Sequence, residues 1–207
     1  MQIHNVEQNS PEWLATRLGI PTASSFGQII TPKGVRGDGY EVYANTLIAE
    51  LLCGNPVEDW KGNQWTERGK DLEDEAVLYY EMQQGIECEK VGFVTNYGVG
   101  CSPDRFVGKD GLLEIKSLKA STQVKCLINN KVSSEYIPQI QGQLYVTGRK
   151  WCDWLAYSPE IPSLTIRVER DEEYITKLSG ALHKFLEKIA LKKHKLIELG
   201  YLIQEKN

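Results

Sequence analysis

Apolar and polar positions follow two rhythms along this chain, and the change from one to the other divides it. Ser10-Pro11 offers a capping hydroxyl and a proline at the first helical position, which predicts a helix opening PEWLATRLG. A second helix is predicted from about Tyr40 to Cys53, closed by Gly54, because glycine takes the left-handed conformation that ends helices. A third runs from about Trp65 to Gln84, with Leu72, Ala76, Leu78, Tyr79 and Met82 as its apolar stripe, and stops at Gly85. From 86 to 117 the helical period disappears. IECEKVGFVTN, CSPDRFVG and LLEIKSL are short β-like runs separated by the turns YGVG and KDG, which predict an antiparallel meander. Helical spacing returns near Thr122–Asn129 and Ser134–Val146, and WCDWLAYS and LTIRVER give two more strands. A long amphipathic helix is predicted over about Asp171–Leu199, with Leu178, Leu182, Phe185, Ile189 and Leu196 on one face for packing or subunit contact. This order predicts an α/β (α+β) fold in which helices flank a central mixed β-sheet. No repeat, low-complexity tract or long linker interrupts the chain, so residues 1–207 are expected to form a single domain.

Composition narrows the function. No apolar run approaches the roughly 20 residues that cross a bilayer, and the polar start shows no secretory signal, so a cytoplasmic protein without a membrane partner is expected. The five cysteines (Cys53, Cys88, Cys101, Cys126, Cys152) never fall as C-x-x-C, which argues against a disulfide framework or a zinc ribbon. His4, His183 and His194 have no metal-ligand spacing. The net charge of -4 excludes general electrostatic attraction to a polyanion. Local charge differs: 115–134 holds Lys116, Lys119, Lys125 and Lys131 without one acid, and 14–37 holds Arg17, Lys33 and Arg36 without one acid. Such stretches are either solvated loops or places that grip phosphates.

The densest chemistry is Ser102-Pro103-Asp104, nine residues, then Glu114-Ile115-Lys116. If Gly108–Gly111 closes a hairpin with residue 107 opposite 111, Asp104 falls opposite Glu114, and opposed Cβ atoms lie only ~5 Å apart. Alternation puts Glu114 and Lys116 on one face and Leu113 and Ile115 on the other. Two adjacent carboxylates repel unless one keeps its proton or a cation neutralises both. Oxygen ligands suit Mg2+ or Mn2+, which lowers the pKa of a bound water and offsets charge developing on a phosphate. Lys116 then stands where it can orient that water. The plain alternative is a surface hairpin with a Glu–Lys pair worth well under ~1 kcal/mol. The apolar neighbours Leu112, Leu113, Ile115 and Leu118 mark the strand as internal, where two acids need a reason.

Pro103-Asp104 with Glu114-x-Lys116 resembles the PD-(D/E)xK nuclease signature, and the wider pattern resembles the phage lambda exonuclease / YqaJ-like viral recombinase group. Arg17-Leu-Gly-x-x-Thr22-Ala-Ser24, Gly69-Lys70-x-x-Glu73, Cys101-Ser-Pro-Asp104, Leu113-Glu-Ile-Lys116 and Tyr136-x-x-Gln139-x-Gln141 resemble its blocks in order. The resemblance implies that Asp104 bridges two divalent ions, with Glu114 and the Ile115 carbonyl on the first. It implies that Lys116 positions the water, that Glu73 assists the second ion, and that Gln139 touches the phosphate or the water. Without it, Glu73 reads as one of several solvated helix acids. Gln139, Gln141 and Gln143 in succession are unusual for a helix surface, and Gln141 joins the expected DNA contacts. Arg17, Thr22, Ser24 and Ser102 carry donors suited to a terminal phosphate, and the resemblance makes them a 5′-phosphate pocket, with Lys33 or Arg36 as a further contact. Trp65 stands where the family's type member has a strand-splitting wedge, and it either stacks on a base or packs in the core.

The function implied is a Mg2+-dependent 5′→3′ exonuclease that degrades one strand of linear duplex DNA to mononucleotides and leaves a 3′ single-stranded tail. The resemblance adds a homotrimeric ring, a single-strand annealing protein as partner, and phage-type recombination in a bacterial host. A structure-specific or restriction-type endonuclease of the same superfamily is the alternative. A catalytically silent DNA-binding protein is the third reading, disfavoured by Asp104, Glu114 and Lys116 standing together.

Overall fold

The computed structural model describes residues 1–57 and 64–201, with side chains for 1–57 and 72–201. In chain order the elements are β1 (Gln2–His4), α1 (Pro11–Arg17), α2 (Phe26–Ile29), α3 (Tyr40–Cys53) and α4 (Gln64–Gln84). Then come β2 (Cys88–Lys90), β3 (Phe93–Asn96), β4 (Val99–Cys101), β5 (Arg105–Val107), β6 (Gly111–Lys116) and α5 (Ala120–Asn129). The chain continues through α6 (Ile137–Thr147), β7 (Trp151–Ala156), β8 (Leu164–Glu169) and α7 (Glu172–Glu198). The expected α/β class with a mixed sheet is what forms.

Five strands pair in the order β2-β5-β6-β7-β8, antiparallel except for β6 and β7, which run parallel. A parallel neighbour requires a crossover, and α5 and α6 supply it, which places α6 over one face of β6. The predicted meander is corrected. β3 and β4 leave the main sheet and pair with β1 in a second, three-stranded sheet, while β2 reaches across to β5. Gly and Asp turns mark where strands end but carry nothing about which sheet a strand joins. β1, a polar segment without alternation, and the short helical turns over 23–29 give no periodic signal and were absent from the expectation.

The β5–β6 hairpin has the predicted register, Val107 opposite Gly111 and Arg105 opposite Leu113. Gly108 at φ 52° makes the turn, and Arg149 donates to the carbonyls of Gly108 and Gly111, both at 2.8 Å. Leu112 faces the main core with Ile140, Leu144, Trp154 and Phe185. Leu113 and Leu155 face the other side, against Ala76, Val77 and Tyr80 of α4. The apolar stripe expected on α4 is corrected accordingly, since Leu78 and Met82 are exposed. The stripe drawn for α7 holds, with Leu178, Leu182, Phe185 and Ile189 buried.

Close approach of α6 depends on Gly142, where a Cβ would stand 2.4 Å from the Phe26 ring. Gly142→Ala is expected to lower stability by about 1–3 kcal/mol through overpacking, as a shift in the urea unfolding midpoint.

Candidate active site

Glu114 is 3% exposed, and a carboxylate this deep needs partners for both oxygens. Oε1 accepts from Lys116 Nζ and from Gln139 Nε2, each at 2.6 Å, and Oε2 accepts from Gln143 Nε2 at 2.6 Å. Lys116 reaches it because residues two apart on a strand share a face. Gln139 and Gln143 reach it because residues four apart on α6 share one. Gln143 was missed as a site residue, and the signal for it was the four-residue step from Gln139.

Gln141, expected to contact DNA, is corrected. It points to the opposite side of α6, is 2% exposed, donates to the Glu169 carbonyl at 2.8 Å and accepts from Asp171 N–H at 3.0 Å. It pins the β8–α7 connection. Two residues along a helix turn a side chain by about 200°, so one glutamine in a strictly alternating trio faces away from the other two.

Asp104 sits just before β5, and extending the hairpin register sets it opposite Glu114. Its Oδ2 accepts the Ile115 N–H at 2.6 Å. The same register sets Pro103 opposite Ile115. Facing strand residues exchange both N–H and C=O, and proline has no N–H, so β5 offers the Ile115 carbonyl no donor. Burial and then the Glu114 charge push the Asp104 carboxyl well above the ordinary carboxylate range, against the opposing pull of Lys116 and the Ile115 N–H. Burial pulls the Lys116 ammonium down, but Glu114 and Asp104 outweigh it and hold Lys116 above its ordinary value.

Crowded carboxylates of this kind are what a hard divalent cation relieves. Gln143 Oε1 is buried without a protein partner, an acceptor complementary to coordinated water. Among the described residues, no group of three or more His, Cys, Asp and Glu side chains is placed to hold a metal ion. Glu73 lies on α4 beside the site but is occupied: Arg105 Nη1 donates to its Oε1 at 2.5 Å. Arg105 carried no expectation. Alternation turns it away from the Asp104 face and under α4.

A second cluster forms where α1 ends. The Arg17 guanidinium lies 3.8 Å from the centre of the Trp13 ring and donates to Thr22 Oγ1 at 3.3 Å, and the Thr22 and Ser24 hydroxyls are 3.3 Å apart. Ser102 Oγ accepts from Trp13 Nε1 at 2.9 Å, so all four expected phosphate donors are brought together, three directly and one through Trp13. Arg17, Thr22 and Ser24, though not Ser102, border a cavity of about 130 Å³ that Tyr43 and Glu50 also line. Burial lowers the Arg17 pKa, while Tyr43 and Glu50 oppose that shift. Thr22 bridges to Gly100 of β4, and two residues beyond Gly100 the chain reaches Ser102 and then Asp104, so one segment serves both clusters.

Lys33 is not brought in. It is exposed in the 31–36 turn, which closes against α7 where Tyr174 OH donates to the Thr31 carbonyl at 3.1 Å. Arg36 pairs instead with Glu41 at 2.9 Å. The side chain of Trp65 lies outside the described residues.

Paired carboxylates beside a lysine, set on a mixed sheet, form the candidate active site. The profile of the YqaJ-like viral recombinase domain matches residues 12–150, and the chain belongs to that family. The structure is similar to an alkaline exonuclease (LHK-Exo) from Laribacter hongkongensis, at 32% identity and a TM-score of 0.77, over 92% of this chain and 100% of that one. That enzyme in complex with dAMP gives a TM-score of 0.78. A phage related exonuclease from Haemophilus somnus 129PT shares the fold, at 18% identity and a TM-score of 0.62, over 84% of this chain and 96% of that one. An uncharacterized protein, R354, of Acanthamoeba polyphaga mimivirus is 25% identical over 170 residues, and this chain spans 30% of its length.

A carboxyl whose folded pKa exceeds its unfolded one contributes full stability below the unfolded value and loses it as pH rises through the folded value. Asp104→Asn cannot ionise. In chelator it is expected to melt above the wild type near neutral pH, with the gap closing as pH falls towards about 4, as read by thermal melts across pH.

Proposed function

We propose that this chain is a Mg2+-dependent deoxyribonuclease that degrades one strand of linear duplex DNA from a phosphorylated 5′ end, releasing mononucleotides and leaving a 3′ single-stranded tail. The observation that carries the reading is the buried Glu114 carboxylate held by Lys116, Gln139 and Gln143 beside an Asp104 crowded by its charge. Asp104, Glu114 and the Ile115 carbonyl would hold the cation. When bound, it supplies Lewis-acid polarisation of the phosphodiester and a water of lowered pKa. Lys116 Nζ, fixed by Glu114, directs a donor at the attacking oxygen and at the charge that builds on the phosphate. Gln139 holds the opposite side of the same carboxylate oxygen, so Glu114 stays aimed.

The Arg17, Thr22 and Ser24 cluster supports work from an end, because a terminal phosphate carries charge that an internal phosphodiester does not, and a forked guanidinium with hydroxyls recognises it. The dAMP complex of LHK-Exo supports mononucleotide release. Mn2+ is the natural substitute cation. The resemblance implies a second ion, bridged by Asp104 and assisted by Glu73, whose Oε1 is taken by Arg105. The family resemblance extends the proposal to a single nuclease domain that assembles as a homotrimer and passes its tail to a single-strand annealing protein in the cytoplasm of a phage-infected bacterium.

Digestion of a linear duplex labelled at the 5′ or 3′ end, with and without 5′-phosphate, tests this in Mg2+. Release of 5′-labelled mononucleotides first, with preference for phosphorylated ends, is expected, whereas internal cuts on circular DNA would establish an endonuclease instead. Asp104→Ala and Glu114→Ala are expected to abolish cleavage, and Lys116→Ala to lower kcat about 10²–10³-fold. Arg17→Ala is expected to slow digestion of phosphorylated ends about 10-fold or more, with little effect on ends lacking the phosphate.

A further inference from the structure

We infer that Arg105 is a positioning residue that clamps Glu73 of α4 to the backbone of Asp104, so that Glu73 serves the reaction through Arg105 and not by touching the reacting atoms. This rests on the nuclease reading above.

Arg105 shares its sheet face with Val107 and Leu113, which pack in an apolar cluster under α4. Its side chain is 7% exposed. A guanidinium cannot shed its proton, so at this depth it must be paired. Nη1 donates to Glu73 Oε1 at 2.5 Å and to the Asp104 carbonyl at 2.7 Å, and Nη2 donates to Asp74 Oδ1 at 3.3 Å. The Asp74 side chain is 96% exposed, so solvent screens that contact, and the charge that compensates Arg105 is Glu73.

Asp104 is therefore gripped at both ends. Its carboxylate takes the Ile115 N–H, and its carbonyl takes Arg105. It lies outside the strand ladder; Gln8 Nε2 holds the Pro103 carbonyl at 3.0 Å, and Arg105 holds the carbonyl of the peptide that follows Asp104. Releasing the carbonyl lets that peptide turn and carries the carboxylate off its aim, and an error of about 1 Å at a reacting centre costs about 10²-fold. The same clamp ties α4 to the hairpin, with Glu73 as its anchor on the helix.

The test is steady-state digestion of a 5′-phosphorylated duplex in Mg2+, with kcat separated from KM for DNA and thermal melts on each variant. Lysine keeps the charge, but its stem ends one atom short of the Nη1 position that reaches both acceptors. Arg105→Lys is expected to lower kcat about 10–100-fold with KM within about threefold of wild type. Glu73→Gln and Glu73→Ala both remove the charge that compensates Arg105, and each is expected to lower kcat about 10–100-fold with KM within about threefold of wild type. Arg105→Lys combined with Glu73→Ala is expected to be no slower than the slower single variant.

Three results would each overturn the clamp. The first is Glu73→Ala with wild-type kcat, which shows that the Asp104 peptide needs no anchor on α4. The second is a double variant whose losses multiply. The third is Arg105→Lys with wild-type kcat and only a lower melting temperature. Should Arg105→Lys not fold, Arg105→Gln takes its place in both the single and the double variant. A wild-type protein that digests nothing overturns the nuclease reading and the clamp with it, while a digesting wild type with any of those three patterns overturns the clamp alone.

Discussion

A carboxylate at the centre of a sheet is the constraint around which this molecule is arranged. Glu114 sits on β6, between β5 and β7, where an ionised acid without donors would cost several kcal/mol. Its donors come from two directions, Lys116 along the strand and Gln139 and Gln143 from α6. The arrangement therefore demands that α6 lie close over this strand. Gly142 packed on Phe26 permits that approach, and the parallel β6–β7 pairing requires the crossover that contains α6. Secondary structure, packing and site chemistry thus answer to one buried charge.

The opposite face of the sheet is organised by paired charges of its own. Tyr80 of α4 donates to Asp153 Oδ2 at 2.7 Å, and Arg167 meets both oxygens of the same carboxylate at 2.8 and 2.9 Å while its guanidinium lies over the Trp151 ring. Tyr157 donates to Glu75 of α4 at 2.7 Å. With Arg105 and Glu73, these bonds hold α4 on an apolar face too small to do so by itself.

Between the two clusters runs the segment from Gly100 to Asp104. Cys101 is buried in it, its thiol pushed up chiefly by burial and then by the Glu114 charge, while Arg17 pulls the other way. Arg17 and the Glu114 charge act on this thiol in opposite directions across one short segment. Pro103, which has no N–H to give, stands just before β5 begins.

The sequence by itself determined the hairpin at the site. Gly108–Gly111 dictates a turn, the turn dictates register, and register sets Asp104 against Glu114 and both against Lys116, because strand periodicity is local and rigid. It also carried the helix ends at Gly54 and Gly85 and the buried stripe of α7. What needed the tertiary structure was every choice between partners that local pattern leaves equal. Gln141 and Gln143 look alike in the chain, and only the seating of α6 sends one to Glu114 and the other to Asp171. Arg105 carries no signal in the chain and gains its place only when α4 covers it, and Lys33 reads as a phosphate contact until its turn folds against α7. The strands from 86 to 101 belong to two sheets because pairing is decided by long-range burial, which no short window of residues encodes.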